Sequence, residues 1–386
     1  MNEAVQDFYL EKDMDFLNNG SFGACPKSVI AYQRQWQEQM ESQLIRFFMK
    51  ELPDGMRNSA RALSSIIGAD ESDIAFVDNA TTGCNAVIRS LMPLWSANHT
   101  VVTTNHCYGA VLNTLQYASQ CTGVNIVYAE VPFPIQDPQE VIDAVVQTLH
   151  DNVCLVVLDH ITSATGIIFP VEEIIKVCRH KGIPILIDGA HAPGMIALSL
   201  CDLSPDWYTG NCHKWLFAPK GCAFLWTHPS RQTMTHPTVI SHGFSQGYIS
   251  EFDFIGTKDY SPFLALPAAL EYFNSWGFEK IYHHNHSLMV DMRQYLCTQW
   301  NVEPPAPVSM LGYMATLPCP IDGDVSVEGA FRIHDELWEQ YRIEIPIIPF
   351  AGKLWWRISA QIFNSPDDYE RLCLIGKELF DKKRFV

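Results

Sequence analysis

The chain has 386 residues, 47% hydrophobic and 18% charged, so it can bury a large core and we expect two domains. The formal net charge of −17 argues against nucleic acid and anionic membranes as partners, because both would repel the chain. No apolar run reaches the length of a membrane span, and the first ten residues lack the basic start and apolar stretch of a signal peptide. The twelve cysteines include no C-x-x-C pair and are typical of reduced residues, so we expect a cytoplasmic protein.

The N-terminal part of the chain is predicted to be an arm, residues 1–17, followed by a glycine- and asparagine-rich turn at 18–23. A helix should begin at Pro26, because apolar residues recur at three-to-four-residue spacing up to position 47. We interpret this apolar stripe as packing surface rather than as chemistry.

A second helix is predicted after the short apolar strand at 74–77. Between the two stand Asp78-Asn79-Ala80-Thr81-Thr82, small and polar residues at a strand-to-helix turn. Amide groups exposed at the positive end of a helix can hold a phosphate. Taken alone, the segment is more often an ordinary helix cap.

Strand-like runs then recur at 101–104, 124–129, 153–158, 184–187 and 222–226, and amphipathic segments separate several of them. The runs are apolar throughout, which predicts a largely parallel sheet with helices on both faces, an α/β fold. Functional sites in such sheets gather at the carboxyl ends of the strands. Tyr108, Ser163 and Asp188 each follow a predicted strand, so we expect them to share a site.

An aspartate and a lysine give that site its chemistry. Asp188 ends an apolar strand, and Lys214 stands 26 residues later among small, polar and aromatic residues. Enclosing a lysine is costly unless it loses its proton, and a neutral amine is what Schiff-base chemistry requires. A carboxylate is the usual partner of the ring nitrogen of pyridoxal phosphate (PLP). Each residue alone is more often a strand-end aspartate or a surface lysine, but together they indicate a PLP site.

The segments 188–191 and 211–215 resemble the class V aminotransferase family of fold-type I PLP enzymes. The opening at 16–23 is most similar to the branch that contains isopenicillin N epimerase and hercynylcysteine sulfoxide lyase, and the resemblance covers nearly the whole chain. It implies a large PLP-binding domain at 18–262, with a mostly parallel seven-stranded sheet between helices, and a smaller α+β domain at 263–386. It also implies a homodimer with shared active sites and an amino acid as the small-molecule substrate.

The resemblance assigns most cofactor contacts. Lys214 would bind PLP covalently, Asp188 would keep the ring nitrogen charged, and Ser163 and His191 would bond the ring oxygen. The residues expected at or near the phosphate are Ala80, Thr81, Thr82, Asn211 and His213, with Gly256 and Thr257 supplied by the neighbouring subunit.

Tyr108 is the aromatic residue expected against the cofactor ring, and its hydroxyl could also move a proton. His106 is the alternative, because many relatives stack a histidine at about this position. A third interpretation, a tyrosine at the sheet edge with its hydroxyl in water, stays open.

The smaller domain should contain helices at 280–299 and 327–341, strands at 311–317, 343–348 and 354–359, and a last helix beginning at Pro366. Arg357 lies in an apolar strand, where a planar guanidinium could hold the substrate's α-carboxylate in two parallel bonds; an edge-strand arginine paired with a surface acid is the alternative. By resemblance, Asn19 lines the substrate side. The histidines at 283, 284 and 286 lack acids or cysteines at ligand spacing, so we expect a solvated helix face and no metal.

The chemistry up to loss of the Cα proton is common to several PLP enzymes. The resemblance favours an isopenicillin N epimerase-like enzyme, with Lys214 and Tyr108 as the catalytic pair. The alternatives are a carbon–sulfur lyase and a class V aminotransferase, and a non-catalytic binding protein is disfavoured because Lys214 and Asp188 are both present. Desulfuration through a protein persulfide is also disfavoured, since no cysteine stands just before Arg357, although Cys319 is close enough in sequence to be tested.

Overall fold

The computed structural model describes residues 3–319 and 324–381. Its strands are β1 Asp15–Phe16, β2 Ile74–Val77, β3 Thr100–Thr104, β4 Asn125–Ala129, β5 Val153–Asp159, β6 Ile185–Asp188, β7 Trp207–Asn211, β8 Ala223–Thr227, β9 Met314–Pro318, β10 Ile343–Glu344, β11 Ile347–Phe350 and β12 Lys353–Ser359. Its α-helices are α1 Asn19–Phe22, α2 Lys27–Ser42, α3 Leu44–Arg46, α4 Leu52–Ile67, α5 Ala80–Leu91, α6 Gly109–Thr122, α7 Gln139–Val146, α8 Val171–Lys181, α9 Leu200–Leu203, α10 Cys212–Trp215, α11 Tyr248–Asp253, α12 Ser261–Leu264, α13 Leu266–Trp276, α14 Phe278–Trp300, α15 Val327–Tyr341 and α16 Pro366–Asp381.

A seven-stranded sheet forms the centre of the fold, in the order β2-β8-β7-β6-β5-β3-β4. Neighbouring strands from β7 to β4 are parallel, and β8 runs antiparallel to both β7 and β2. Alternate residues of β5 enter two different cores: Leu155 and Val157 lie in one, Val156 and Leu158 in the other. Both faces of the sheet are therefore covered, which confirms the predicted α/β fold of the fold-type I class.

Strand β7, which immediately precedes Lys214, was not among the predicted strands. Gly210 and Asn211 are weak strand formers, so the sequence favours a turn there. The structure pairs this segment with β6 and β8, and the buried Thr209 hydroxyl donates to the carbonyl of Phe224 at 2.8 Å. Gly210 packs so tightly that a Cβ would lie 2.7 Å from Cγ of Pro193. Burial between two strands outweighs intrinsic propensity at this position.

The C-terminal part contains an antiparallel sheet of order β11-β12-β9, which shares a separate core with α14, α15 and α16. Helix α15 has the predicted bounds, and the hydroxyl of Ser326 caps it by accepting from the amide of Gly329 at 3.0 Å. Part of the predicted N-terminal arm belongs here too: β1 pairs with β10, and Leu17 is buried in this core. The predicted domain division after residue 262 falls inside α12 and stays a prediction.

The histidine tract lies on α14, where the rings of Tyr282 and His286 stack at 5.1 Å between centroids. Among the residues that the structure describes, no three histidine, cysteine or acidic side chains are grouped so that they could hold a metal ion. Within the same residues, no helix combines the length and apolarity that crossing a membrane requires.

Candidate active site

A cavity of about 590 Å³ lies at the carboxyl ends of β5 and β6 and the start of α5. The predicted site residues that line it are Ala80, Thr81, Thr82, Tyr108, Ser163, Asp188, His191, Asn211, His213 and Lys214. These residues are spread over more than 130 positions of the sequence, from Ala80 to Lys214, and the parallel sheet brings them together. Ser21, Phe22, Asp78 and Asp159 also belong to the wall.

Lys214 lies on the short helix α10, with its Nζ 3.0 Å from Nε2 of His191. Burial, and after it the positive charge of Arg357, lower the pKa of this lysine from 10.5 to about 7, although the carboxylates of Asp188 and Asp159 oppose the shift. A substantial fraction of neutral amine is therefore present near neutral pH. A neutral, enclosed amine is the form that attacks a carbonyl or removes a proton.

The segment at 19–23, which follows β1, contacts the backbone of α10 and so fixes the position of Lys214. Asn19 donates from Nδ2 to the carbonyl of Lys214 at 3.0 Å, and its Oδ1 accepts from the amide of Ala24 at 2.9 Å. Gly23 has a φ of +67°, and a Cβ there would lie 2.0 Å from the carbonyl oxygen of His213. The structure thus uses Asn19 to brace α10 and does not place it on the cavity wall. Ser21, two residues later, occupies the wall instead.

Two buried carboxylates end adjacent strands. Asp188 ends β6 and accepts from the amide of Ala190 at 3.0 Å, and Asp159 ends β5 as its register partner. Burial raises the pKa of both, and the charge of Asp188 raises the pKa of Asp159 further. The backbone amide of Tyr108 bonds Asp159 and opposes that shift. Asp159 was missed as a site residue, although its place at the end of a predicted strand, like that of Asp188, was the available signal.

The start of α5 is held by two asparagines. Asn79 caps the helix by accepting from the amide of Thr82 at 2.9 Å, and Asn211 Oδ1 accepts from the amide of Ala80 at 2.9 Å. His213 is fixed by a 3.0 Å contact between its Nδ1 and the carbonyl of Cys222, and burial lowers its pKa to about 4. Near the start of α5 the wall therefore combines a positive helix end with neutral polar groups and the carboxylate of Asp78. The helix end is the part suited to an anion.

The structure also offers a test of whether PLP fits this cavity. His191 is buried and neutral, since burial and the nearby Lys214 lower its pKa well below the usual value. Its Nδ1 has no hydrogen-bond partner among the described residues. A buried nitrogen of this kind is costly unless a ligand satisfies it. The free imidazole nitrogen, the neutral lysine amine, the carboxylate of Asp188 and the helix end together match the ring oxygen, aldehyde, ring nitrogen and phosphate of PLP.

Tyr108 and His106 take different positions. His106 is 1% exposed, contacts Thr165 Oγ1 through Nδ1 at 3.0 Å, and packs its ring 4.6 Å from that of Phe350. Tyr108 lies at the start of α6, lines the cavity and is 43% exposed. Of the two rings, only that of Tyr108 is on the cavity wall; whether it stacks, transfers a proton or does both stays a prediction.

Arg357 lies on β12, the central strand of the smaller sheet, and is 5% exposed. Its Nη1 donates to the carbonyl of Ser163 and its Nη2 donates to Ser21 Oγ at 3.1 Å; both serines line the cavity. Within the described residues, no acidic side chain forms an ion pair with Arg357, which speaks against the edge-strand alternative. Burial lowers its pKa to about 10. It remains a cation at neutral pH and can meet a substrate carboxylate.

Gly256 and Thr257 lie in the loop between α11 and α12, and this chain does not place them on the wall of its own cavity. Gly256 has a φ of +123°, which favours glycine, and Thr257 is exposed. Their predicted role concerns the phosphate in a neighbouring subunit and stays a prediction.

Comparisons with known proteins agree with this geometry. Residues 19–304 match the family model "Aminotransferase class-V". The chain is 32% identical to the probable chloroplastic L-cysteine desulfhydrase of Arabidopsis thaliana, over 95% of this chain and 84% of that one. It is 26% identical to isopenicillin N epimerase of Amycolatopsis lactamdurans, over 97% of this chain and 98% of that one. In structure it is similar to a variant of the C-DES enzyme with glycine linked to the PLP cofactor, with a TM-score of 0.80, 19% identity and 99% coverage of both chains.

Proposed function

The chain belongs to the class V aminotransferase family and is a PLP-dependent enzyme, and from that premise we propose that it is a carbon–sulfur lyase acting on L-cysteine. The proposed reaction breaks the bond between Cβ and sulfur and consumes one water, so that cysteine gives pyruvate, ammonia and hydrogen sulfide. The observation that carries this proposal is the pairing of one buried base, Lys214, with one solvent-exposed acid, Tyr108.

That pairing favours elimination over epimerisation. An epimerase must deliver a proton to Cα from either face, and an exposed phenol exchanges its proton freely with water. A lyase needs only one enclosed base for the Cα proton and one acid for the departing sulfur. The L-cysteine desulfhydrase relative, at 32% identity, supports the same choice over the epimerase at 26%. Epimerisation therefore becomes the second candidate, and transamination the third.

Each residue of the site has a separate role in the proposed reaction, which follows from its position. Arg357, between Ser21 and Ser163, binds the α-carboxylate and so fixes the direction of the Cα–H bond. Lys214, as a neutral amine, would remove the Cα proton, and Asp188 would be the residue that keeps the ring nitrogen of the cofactor protonated. When bound, PLP supplies the electron sink for the pair left at Cα. Tyr108 then donates its proton to the sulfur as the carbon–sulfur bond breaks.

The sulfur is proposed to leave as free sulfide. Among the described residues, no cysteine lines the cavity. Cys319 is partly buried at the end of β9, where its sulfur accepts a hydrogen bond from the Trp356 indole at 3.1 Å. A thiol held in this way is poorly placed to carry a persulfide.

A homodimer and a cytoplasmic location are part of the proposal. The described surface exposes large apolar side chains, including Phe22 at 71%, Ile45 at 79% and Phe244 at 52%. Phe22 lies on the cavity wall itself. A second subunit that covers this side would bury exposed apolar surface and close the cavity.

The reaction can be identified by proton NMR of the PLP-loaded enzyme in heavy water with L-cysteine and other amino acids, combined with a sulfide assay. We expect pyruvate and sulfide in equal amounts. Deuterated substrate of inverted configuration without pyruvate would establish the epimerase instead. A keto acid that retains the substrate side chain, with conversion of the cofactor to its amine form, would establish the aminotransferase. Lys214→Ala is the control that should form no product.

Tyr108→Phe tests the acid directly. Loss of the hydroxyl should lower kcat for cysteine roughly a hundredfold, the usual range for a lost general acid. The variant should process β-chloroalanine almost as fast as the wild type, because chloride leaves without a proton. Equal losses with both substrates would mean that Tyr108 acts through its ring and not through its hydroxyl.

A further inference from the structure

Asp78 and Lys258 form an ion pair at the cavity wall. Nζ of Lys258 contacts Oδ1 of Asp78 and lies 5.0 Å from the ring centroid of Phe263. The side chain of Lys258 is 26% exposed, and that of Asp78 is 49% exposed. The pair connects the start of α5 with the loop that carries Gly256 and Thr257.

The carboxylate of Asp78 stands at an unfavourable place for a phosphate site. It precedes the cap residue Asn79 by one position and lines the cavity where α5 begins. A carboxylate there is attracted to the same positive helix end as a phosphate, and it repels a phosphate dianion. The half-exposed Asp78 needs a partner that neutralises its charge and keeps it turned away from the helix.

We propose that Lys258 is a positioning residue for the cofactor, which neutralises Asp78 and holds it away from the start of α5 so that the helix can bind the phosphate. The inference rests on the proposed function in one respect, namely that the phosphate of PLP binds at the start of α5. It is independent of which reaction follows. The contacts of Lys258 with the rings of Tyr260 and Phe263 keep its ammonium in position for this role.

The test is the affinity of the cofactor-free protein for PLP, measured by the absorbance of the lysine-bound cofactor and by tryptophan quenching. Lys258→Met should weaken PLP binding about tenfold at low ionic strength, and the loss should shrink at high salt. Asp78→Asn should bind PLP at least as tightly as the wild type. The double variant should recover most of the loss, because the uncompensated charge is gone.

Two controls separate this effect from general damage. Lys176→Met removes the lysine of an exposed ion pair with Glu172 on α8 and should leave PLP affinity unchanged. Pyridoxal, which lacks the phosphate, should bind equally to the wild type and to Lys258→Met. Unchanged PLP affinity in Lys258→Met, or a double variant as weak as Lys258→Met, would overturn the proposal. A wild type that binds pyridoxal as tightly as PLP would overturn the phosphate placement as well.

Discussion

Lys214 illustrates how burial sets the acid–base chemistry of a single side chain. Its pKa is lowered from 10.5 to about 7, chiefly by burial. Between these values the unfolded chain binds more protons than the folded one, so the free energy of unfolding of the cofactor-free protein rises with pH across this window. Below pH 7 the protein carries the full cost of a charged buried amine.

Lys214→Met should therefore stabilise the cofactor-free protein. We expect the variant to have a larger free energy of unfolding than the wild type below pH 7, by a few kcal/mol, with the difference disappearing as the pH approaches 10.5. Urea unfolding of both proteins at several pH values measures this difference. A gain that is the same at every pH would show that packing, and not the charge, is responsible.

Arg357→Lys tests the carboxylate clamp. A lysine keeps the positive charge but cannot make two parallel bonds, so KM for the amino acid should rise roughly a hundredfold, with a smaller change in kcat. The absorbance of bound PLP should be unchanged. Cysteamine, which has no carboxylate, should be handled equally well by the variant and the wild type. A comparable loss with cysteamine would remove Arg357 from carboxylate binding.

At the scale of elements, the close approach of Gly23 to α10 decides where Lys214 lies. Gly23→Ala would place a methyl group against the His213 carbonyl, so we expect destabilisation by more than about 3 kcal/mol and weaker PLP binding. Gly182→Ala is the matched control: its φ is +69°, but no atom lies within 4 Å of the added Cβ. It should cost only about 1 kcal/mol and leave the PLP absorbance unchanged. Denaturant unfolding and cofactor titration distinguish the two variants, and equal effects would contradict the steric account.

The sequence predicted those parts of the fold and site that depend on local pattern. Apolar strands and helix caps could be identified from the sequence alone. Asp188 was found because it ends one of these strands, and Lys214 because it stands 26 residues later among small, polar and aromatic residues. The sequence does not indicate in which direction a side chain points. It therefore could not decide whether His106 or Tyr108 faces the cavity, and the structure shows that Tyr108 does. The family resemblance gave Asn19 a substrate role, which stays a prediction. The folded chain adds that its side-chain amide bonds the backbone of Ala24 and, 195 residues away, that of Lys214, a contact the sequence could not indicate.

At the scale of the whole molecule, the loop with Gly256 and Thr257 makes the predicted dimer testable. If Lys214 of one subunit works with Thr257 of its partner, then mixing Lys214→Ala with Thr257→Pro creates mixed dimers with one intact site. After unfolding and refolding of an equal mixture, about a quarter of the wild-type activity should return. Each variant refolded alone should stay inactive, and no recovery in the mixture would mean that each site is complete within one subunit.

The pairing of β1 with β10 has a consequence for how the protein is made. Residues near the beginning of the chain are synthesised first, yet Phe16 pairs with Glu344, and the amide of Asn19 donates to the hydroxyl of Ser359 at 2.8 Å. On the ribosome, the early segment has to wait for these partners until residues 343–359 have emerged. A nascent chain can thus expose Lys214 before Ser359 has fixed Asn19, the residue that braces α10. The structure ties completion of the catalytic centre to synthesis of residues 343–359.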